Sequence, residues 1–320
     1  MLSDGEAARF VCADRMPQAP TAVGILNGFG RTLGDGIIGL QALHVAIRVG
    51  AVPPMPVLFR LPDLPAMVEA IYSVADFTEI QTLPWDFATT NRRLDFGETV
   101  VRVIDIRDFA FDPGFQQTSM IDFFLRRLDI APGAVPASWR RNTWLAPRVT
   151  PAPPDLPLGY ILVCPKASMR LRDMPEAIHV HILRQALAIG PVVTQGPVPN
   201  TLARDVIHAA PCETLDALCG LIRHAKWMIS TDTSMVHFAD AFDVPCLAFF
   251  PTHRPEWRVR DYPRCLPIAL RSRLPPGIEF ARGPRDDVLA WSSWFPDGSD
   301  LGWLDRAMAR ARDQFVREVS

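Results

Sequence analysis

The sequence lacks several features that would place a protein in a particular class. No run of Lys and Arg suggests nucleic-acid binding, and no block of like charges suggests a disordered tail. No stretch approaches the ~20 apolar residues that span a bilayer. The first residues have neither the basic start nor the apolar run of a signal peptide. We therefore expect a cytoplasmic protein whose partners are small molecules or uncharged surfaces, not nucleic acid.

Disulfide and metal patterns are also missing. The six cysteines form no Cys-x-x-Cys pair, and the closest two, Cys212 and Cys219, do not have the spacing of a common zinc site. The sequence therefore predicts reduced, mostly buried thiols and no metal site.

The chain has the length and the apolar content of two domains. Its 320 residues are 48% hydrophobic, which is enough for two cores. Most of the 31 prolines lie between predicted elements, and the densest cluster runs from Pro147 to Pro157. A short apolar strand begins anew after this cluster. We therefore predict a first domain over 1–150, a second over 151–300, and an amphipathic C-terminal helix over 301–320.

Apolar strands alternate with amphipathic helices in both halves, which is typical of an α/β fold with parallel sheets and helices on both faces. The predicted strands are 22–26, 57–61, 77–83, 100–106, 160–164, 192–195, 227–230 and 246–250, and the predicted helices are 36–49, 64–73, 119–128, 175–189, 214–224, 234–242 and 303–319. The pattern predicts two Rossmann-like domains facing across a cleft. Because ligands bind at the carboxyl ends of such strands, we expect functional residues just after Leu26, Cys164, Gln195, Ser230 and Phe250.

The first strand-to-helix turn, from Gly28 to Gly36, is rich in glycine. It fits the dinucleotide pattern Gly-x-Gly-x-x-Gly poorly, because the third glycine comes one position late and no acidic residue follows the second strand. Gly34 and Asp35 stand near the predicted helix start instead. A carboxylate there could take a proton from an attacking hydroxyl, or it could simply cap the helix.

A second polar turn lies between the strands that end at Ser230 and Phe250. The motif Asp-Thr-Ser-Met-Val-His-Phe-Ala begins at Asp232. Free amides of Thr233, Ser234 and Met235 at a helix start would favour an anion such as phosphate, and His237 follows one turn later. Asp232 would contact the ligand or simply cap the helix, and the alternative for His237 is a packed helix residue.

These turns resemble those of glycosyltransferase family nine, the ADP-heptose:lipopolysaccharide heptosyltransferases. That family has a Gly-Asp turn after the first strand, and Asp-Thr-Gly-x-x-His-x-Ala and Gly-Val-Pro where this chain has the motif at Asp232 and Asp-Val-Pro. The resemblance implies the two-domain GT-B fold, with an acceptor-binding first domain and a donor-binding second domain. It implies that Asp35 is the general base and that Thr233, Ser234 and His237 contact the donor diphosphate. A terminal helix that packs back on the first domain is common in this fold, although surface packing explains 301–320 equally well.

A second anion site, for the donor, is predicted in the basic loop that follows the strand ending at Cys164. Lys166, Arg170 and Arg172 precede a Met-Pro pair, where the family has Lys-x-Trp-Pro with a phosphate-binding Lys. Arg172 aligns with that Lys, and the resemblance implies that it binds donor phosphate; the alternative is a solvated basic loop. Gly196 opens the turn after the next strand. His253 lies in the loop 251–258, a candidate lid over the donor.

The chain departs from the family at three places. Gln41 stands where the family usually has Pro, Ser234 replaces a Gly, and the segment 196–200 lacks the acidic residue that the family uses on the nucleotide ribose. These departures leave the donor and full activity open.

Three functional hypotheses follow. The first is inverting transfer of a heptose-like sugar from a nucleotide-diphosphate donor, an ADP-sugar being favoured, to a glycan or lipid-linked lipopolysaccharide-core hydroxyl. No Asp-x-Asp motif appears, so Arg172, His237 and the helix start would replace a metal and no cofactor is expected. The second is a nucleotide-binding accessory protein that has lost catalysis, and the third is a nucleotide-sugar epimerase. Membrane contact would be peripheral at most.

Overall fold

The computed structural model describes residues 8–9, 22–26, 29–83, 94–95, 100–148, 150–270, 283–298 and 300–317. The chain divides into two compact units, Met1–Arg140 and Arg141–Ser320. The division comes before the proline cluster, and so before the boundary predicted at 150. The reason is that Arg141 and Asn142 already bond to Asp240 of the second unit.

The first unit contains a parallel sheet flanked by helices. Its helices and strands are β1 (Ala8–Arg9), β2 (Ala22–Leu26), α1 (Leu33–Arg48), β3 (Val57–Arg60), α2 (Ala66–Ser73), β4 (Glu79–Thr82), β5 (Leu94–Asp95), β6 (Val100–Asp105) and α3 (Met120–Arg127). Four strands pair in the order β4-β3-β2-β6, all parallel, and β1 pairs separately with β5. The predicted strands and helices of this unit are confirmed, with ends that differ by a few residues.

Aromatic packing fixes the turn between β2 and α1. Phe29 and Gly30 both have positive φ angles, 59° and 91°, which reverse the chain sharply. The Phe29 ring is buried against Phe124, with centroids 5.1 Å apart. It also lies directly on Gly39 of α1, where a Cβ atom would be 2.0 Å from Cγ of Phe29. Contacts with Phe124 and Gly39 therefore fix the position of Phe29 in this turn.

The second unit has a larger parallel sheet. Its helices and strands are β7 (Ile161–Cys164), α4 (Glu176–Leu187), β8 (Val192–Thr194), β9 (Val206–His208), α5 (Leu215–Arg223), β10 (Trp227–Thr231), α6 (Met235–Ala241), β11 (Cys246–Phe250), β12 (Cys265–Ala269), α7 (Pro284–Ser292) and α8 (Gly302–Arg317). Six strands pair in the order β12-β11-β10-β7-β8-β9, all parallel. Each unit thus has the predicted α/β architecture.

The C-terminal helix α8 packs within the second unit. Its buried residues Leu304, Ala311 and Phe315 join the core of that unit, and the Phe315 ring lies 5.5 Å from that of Trp227. The apolar face predicted for 301–320 therefore packs against the core of the second unit. Among the described residues, none of the helices combines the length and apolar character needed to cross a bilayer.

Candidate functional site

The carboxyl ends of β10 and β11 bring together a carboxylate, an imidazole and a guanidinium. Asp232 directly follows β10 and is 2% exposed. Its Oδ2 lies 2.7 Å from Nδ1 of His253, which follows β11, and 3.5 Å from Nη1 of Arg172. Strands β10 and β11 are parallel neighbours, so their carboxyl ends meet at one edge of the sheet. Asp232 and His253 therefore lie just after the two strand ends where functional residues were expected.

The Asp232 carboxylate is ionised despite its burial. Burial alone would raise its pKa, but the His253 ring and the Arg172 and Arg258 guanidiniums outweigh that effect and hold the pKa well below its usual range. Asp232 does not cap α6, because its side chain is engaged with His253 and Arg172 and the N-cap position belongs to Ser234. Its role is to balance the cations of this cluster.

Arg172 is held rigidly at the same edge. Its carbonyl oxygen accepts a hydrogen bond from the Thr231 hydroxyl, and its Nη2 donates to Oγ of Ser168 at 3.0 Å. Its Nε is buried and has no hydrogen-bond partner among the described residues. A buried N–H without an acceptor is costly, and here it belongs to a cation. Arg172 is thus a preformed, unsatisfied donor rather than a solvated loop residue.

The turn between β10 and α6 offers further donors. Helix α6 begins at Met235, and the Ser234 side chain makes no capping bond. Within the described part of the chain, the amides of Thr233, Ser234 and Met235 donate to no acceptor. This turn therefore matches the arrangement that the sequence predicted for an anion.

His237 is buried inside the unit, with 3% exposure. Its Nδ1 lies 2.8 Å from the Tyr262 hydroxyl, and the two rings meet edge to face. Burial lowers its pKa to about 3. The negative charge of Asp232 acts to raise the pKa, and the positive charges of Arg258 and Arg172 act to lower it. His237 is therefore a neutral side chain at physiological pH.

His253 is likewise neutral and buried. Burial and the charge of Arg258 lower its pKa, although Asp232 acts in the opposite direction. The ionised Asp232 can only accept, so the neutral ring donates its Nδ1 proton to that carboxylate. His253 thus ties the loop 251–258, predicted as a lid, to the turn after β10.

A cavity of about 620 Å³ opens at the carboxyl ends of β7 and β8. Lys166, Arg170, Asn200 and Trp291 are among its lining residues. Lys166 is paired with Asp173 at 2.9 Å, and its side chain is 55% exposed. Arg170 is exposed. Unlike Arg172, neither residue is held within the buried cluster.

Gly196 has a packing role beside this cavity. A Cβ atom at Gly196 would lie 2.2 Å from Cγ of Pro165 and 3.2 Å from Cε1 of His179. Its amide donates to Oγ1 of Thr194 at 3.1 Å. The absence of a side chain therefore lets the loops after β7 and β8 approach each other.

In the first unit, Asp35 lies in the first turn of α1. Thr32 is the N-cap, and its hydroxyl accepts from the Asp35 amide at 3.3 Å, so Asp35 does not cap the helix. A Cβ atom added at Gly30 would lie 3.6 Å from Oδ2 of Asp35, so the carboxylate faces the Gly30 backbone. Burial and then the nearby Asp35 charge raise the pKa of Tyr72, whose hydroxyl donates to the Gly30 carbonyl at 3.2 Å. Gly34 precedes Asp35 and is half-buried.

Asn142 and Tyr262, which were not predicted from the sequence, both contact the His237 region. Asn142 Nδ2 lies 2.7 Å from the Tyr262 hydroxyl, and both residues are buried. Neither follows a predicted strand end or belongs to a recognised motif, so no sequence signal indicated them. Gln41, noted as a departure, is buried and its Nε2 donates to the Trp139 carbonyl at 2.6 Å.

The cysteines and the acidic residues form no metal cluster in the part of the chain that is described. No group of three or more His, Cys, Asp or Glu side chains there could hold a metal ion. The five described cysteines are free thiols, namely Cys164, Cys212, Cys219, Cys246 and Cys265.

The fold is shared with solved structures of other proteins, whereas the sequence alone finds no match. No protein-family model and no curated protein matches the sequence. Solved structures that match its fold include the iron-containing dodecameric glycosyltransferase TibC of enterotoxigenic E. coli H10407, the E. coli heptosyltransferase WaaC with ADP, and a glycosyltransferase family 9 protein of Veillonella parvula DSM 2008. The chain has the fold of the heptosyltransferase-like glycosyltransferases.

The match is extensive in length and low in identity. TibC gives a TM-score of 0.63 at 13% identity over 94% of this chain and 77% of its own. WaaC gives 0.57 at 13% over 91% and 99%, and the Veillonella protein 0.56 at 11% over 95% and 100%. The resemblance stated from the turn motifs is thereby confirmed at the level of the fold.

Proposed function

We propose that the chain is a glycosyltransferase whose second unit binds a nucleotide-diphosphate sugar at the turn after β10. The observation that carries the proposal is the buried Nε–H of Arg172, which has no acceptor among the described residues. Beside it lie the amides of Thr233, Ser234 and Met235, which are also without acceptors in that part of the chain. Diphosphate oxygens would satisfy both sets of donors.

The proposed reaction is an inverting single displacement. An acceptor hydroxyl attacks the anomeric carbon of the donor, a new carbon–oxygen bond forms, and the bond to the diphosphate breaks. Asp35, in the first turn of α1 after the N-cap Thr32, takes the hydroxyl proton. Arg172, His237 and the turn amides stabilise the charge that develops on the leaving diphosphate, in place of a metal.

We further propose an ADP-sugar, heptose-like, as donor and a glycan or lipopolysaccharide-core hydroxyl as acceptor. The support is the fold shared with WaaC, which is described with ADP. The cavity lined by Asn200 and Trp291 lies at the same sheet edge and is large enough for a nucleoside. It would bind the ribose without the acidic residue that the family resemblance led us to look for in 196–200.

A mass-spectrometric screen tests the proposal. The chain is incubated with ADP-, GDP- and UDP-sugars, with and without lipopolysaccharide-core oligosaccharide, and the products are weighed. Glycosylated acceptor and free nucleoside diphosphate are the expected products with one donor class. Binding without turnover would identify an accessory protein, and a 2-epimerised sugar nucleotide would identify an epimerase; either result would contradict the transferase assignment.

A further inference from the structure

A chain of buried hydrogen bonds ends at Nδ1 of His237. The Tyr262 hydroxyl lies 2.8 Å from this nitrogen and 2.7 Å from Nδ2 of Asn142. Asn142 is fixed in turn by Asp240, whose Oδ2 accepts from the Asn142 backbone amide at 2.8 Å and from Nδ2 at 3.1 Å. Asp240 is paired with Nε of Arg141 at 2.9 Å. The donor and the acceptor of each hydrogen bond in this series can therefore be assigned in turn, beginning at Asp240.

The orientation of the Asn142 amide decides the direction of the bonds. Its Nδ2 must face the Asp240 carboxylate, because the opposite orientation would place two acceptor oxygens together. Nδ2 has a third neighbour, the His237 carbonyl at 3.4 Å, but the Tyr262 oxygen is much closer at 2.7 Å, so the second Nδ2 proton goes to Tyr262. Among the described residues, the Tyr262 hydroxyl has one other partner, Nδ1 of His237, so its proton is directed there. A buried hydroxyl proton without an acceptor would be the costly alternative.

The protonation of His237 follows from this direction. The ring is buried and close to the positive charges of Arg172 and Arg258, which disfavour a further positive charge on His237. A neutral imidazole carries one proton, and Nδ1 is the acceptor of the Tyr262 bond. The proton therefore lies on Nε2, which makes no hydrogen bond to a described residue.

We propose that Tyr262 is a positioning residue that holds His237 as its neutral Nε2–H tautomer, so that this N–H donates to an oxygen of the donor diphosphate. The ring then supplies a hydrogen bond to an anion without adding a charge beside Arg172. The tautomer assignment stands on the apo geometry alone, whereas the diphosphate contact depends on the proposed function. The two parts are tested separately.

Nitrogen-15 NMR of histidine-labelled, ligand-free protein tests the tautomer. The His237 signals, identified by their absence in His237→Gln, should show a protonated Nε2 and an unprotonated Nδ1. Tyr262→Phe should move the Nδ1 signal, because its donor is lost while the ring remains. Tyr160→Phe is the matched control, since it deletes another buried hydroxyl of the same unit, bonded to the Leu221 carbonyl. A protonated Nδ1 in the wild type, or an unchanged spectrum in Tyr262→Phe, overturns the proposal.

Calorimetric titration with ADP tests the second part. Tyr262→Phe should weaken ADP binding about three- to tenfold, and His237→Met should do so at least as strongly. His237→Gln, whose amide can place a donor near the position of Nε2, should recover part of the loss, and Tyr160→Phe should bind as the wild type does. Unchanged ADP binding in Tyr262→Phe overturns the contact. If the wild type binds no nucleotide, the proposed function fails, while the spectra still decide the tautomer.

Discussion

Oδ2 of Asp232 and Nδ1 of His253 lie 2.7 Å apart at the ends of two neighbouring parallel strands, with both residues buried. Arg172 approaches the same carboxylate oxygen from the loop after β7. Three separate segments of the second unit therefore meet at one buried negative charge. That charge allows a cation and two neutral imidazoles to be held together at the sheet edge before any anion binds.

The first prediction concerns the stability of this cluster. Asp232→Asn leaves the Arg172 guanidinium, 14% exposed, without its buried counter-charge, so unfolding free energy should fall by about 3 kcal/mol. Asp216→Asn is the control, because Asp216 pairs with Arg148 through a carboxylate that is 57% exposed and should cost less than about 1 kcal/mol. Urea denaturation followed by tryptophan fluorescence measures both. Equal losses would show that the Asp232 cluster is not an effectively buried ion pair.

The second prediction is that the protein loses stability in mild acid. Burial lowers the pKa of His179 to about 4, from the ordinary 6.5. The unfolded chain therefore takes up a proton at a pH where the folded chain does not, and unfolding becomes easier as the pH falls from 6.5 toward 4. Between pH 7 and pH 5 this amounts to about 2 kcal/mol for His179, and His237 adds to it in the same direction.

His179→Gln isolates this contribution. The urea-derived free energy difference between pH 7 and pH 5 should shrink by about 2 kcal/mol in the variant. His208→Gln, at an exposed position, should leave the difference as it is in the wild type. An identical pH dependence in His179→Gln and the wild type would rule out a neutral buried His179.

The third prediction separates catalysis from donor binding. Asp35→Asn removes the proposed base and should lower kcat at least 100-fold, while ADP affinity stays within about twofold of the wild type. Asp76→Asn is the control, because it neutralises an exposed carboxylate just before β4, at the other end of the same sheet. Initial rates with the donor identified by mass spectrometry, and calorimetry with ADP, give the two quantities. Normal turnover in Asp35→Asn would remove Asp35 from the mechanism.

The fourth prediction uses two glycines of the second unit. Gly196→Ala places a Cβ atom against Pro165 and should destabilise the protein by about 1–3 kcal/mol through overpacking. Gly190→Ala meets no atom within 4 Å and should change stability by less than about 1 kcal/mol in either direction. Thermal unfolding compares the pair. Similar midpoints would mean that the loops after β7 and β8 adjust easily.

The sequence was sufficient for most of the fold because its strands are short apolar runs with clear turn signals on both sides. Two strands of the second sheet, β9 and β12, were missed. β12 contains Pro267, a residue that is unfavourable inside a sheet, and the structure places β12 at the sheet edge, where a missing backbone donor is tolerated. β9 has three residues and lies at the other edge, too short to show a period.

The candidate site was predictable only where it follows a strand end. Asp232 begins a motif, Arg172 lies in a basic loop, and Asp35 lies in a glycine-rich turn, so the sequence indicated all three. It left open whether the two carboxylates capped their helices. The N-cap positions proved to be held by Thr32, which makes a capping bond, and by Ser234, which does not. Tyr262 reaches His237 across 25 positions of the chain, a contact that no local pattern encodes.

Calorimetric titration of the wild type, Arg172→Ala and Arg204→Ala with ADP tests the central claim most directly. Arg204 is an exposed arginine just before β9, at the amino end of the sheet, and serves as the matched loss of charge. The account predicts one ADP per wild-type chain, affinity weakened about ten- to 100-fold in Arg172→Ala, and wild-type affinity in Arg204→Ala. Equal ADP affinity in all three proteins, or no ADP binding by the wild type, would contradict it.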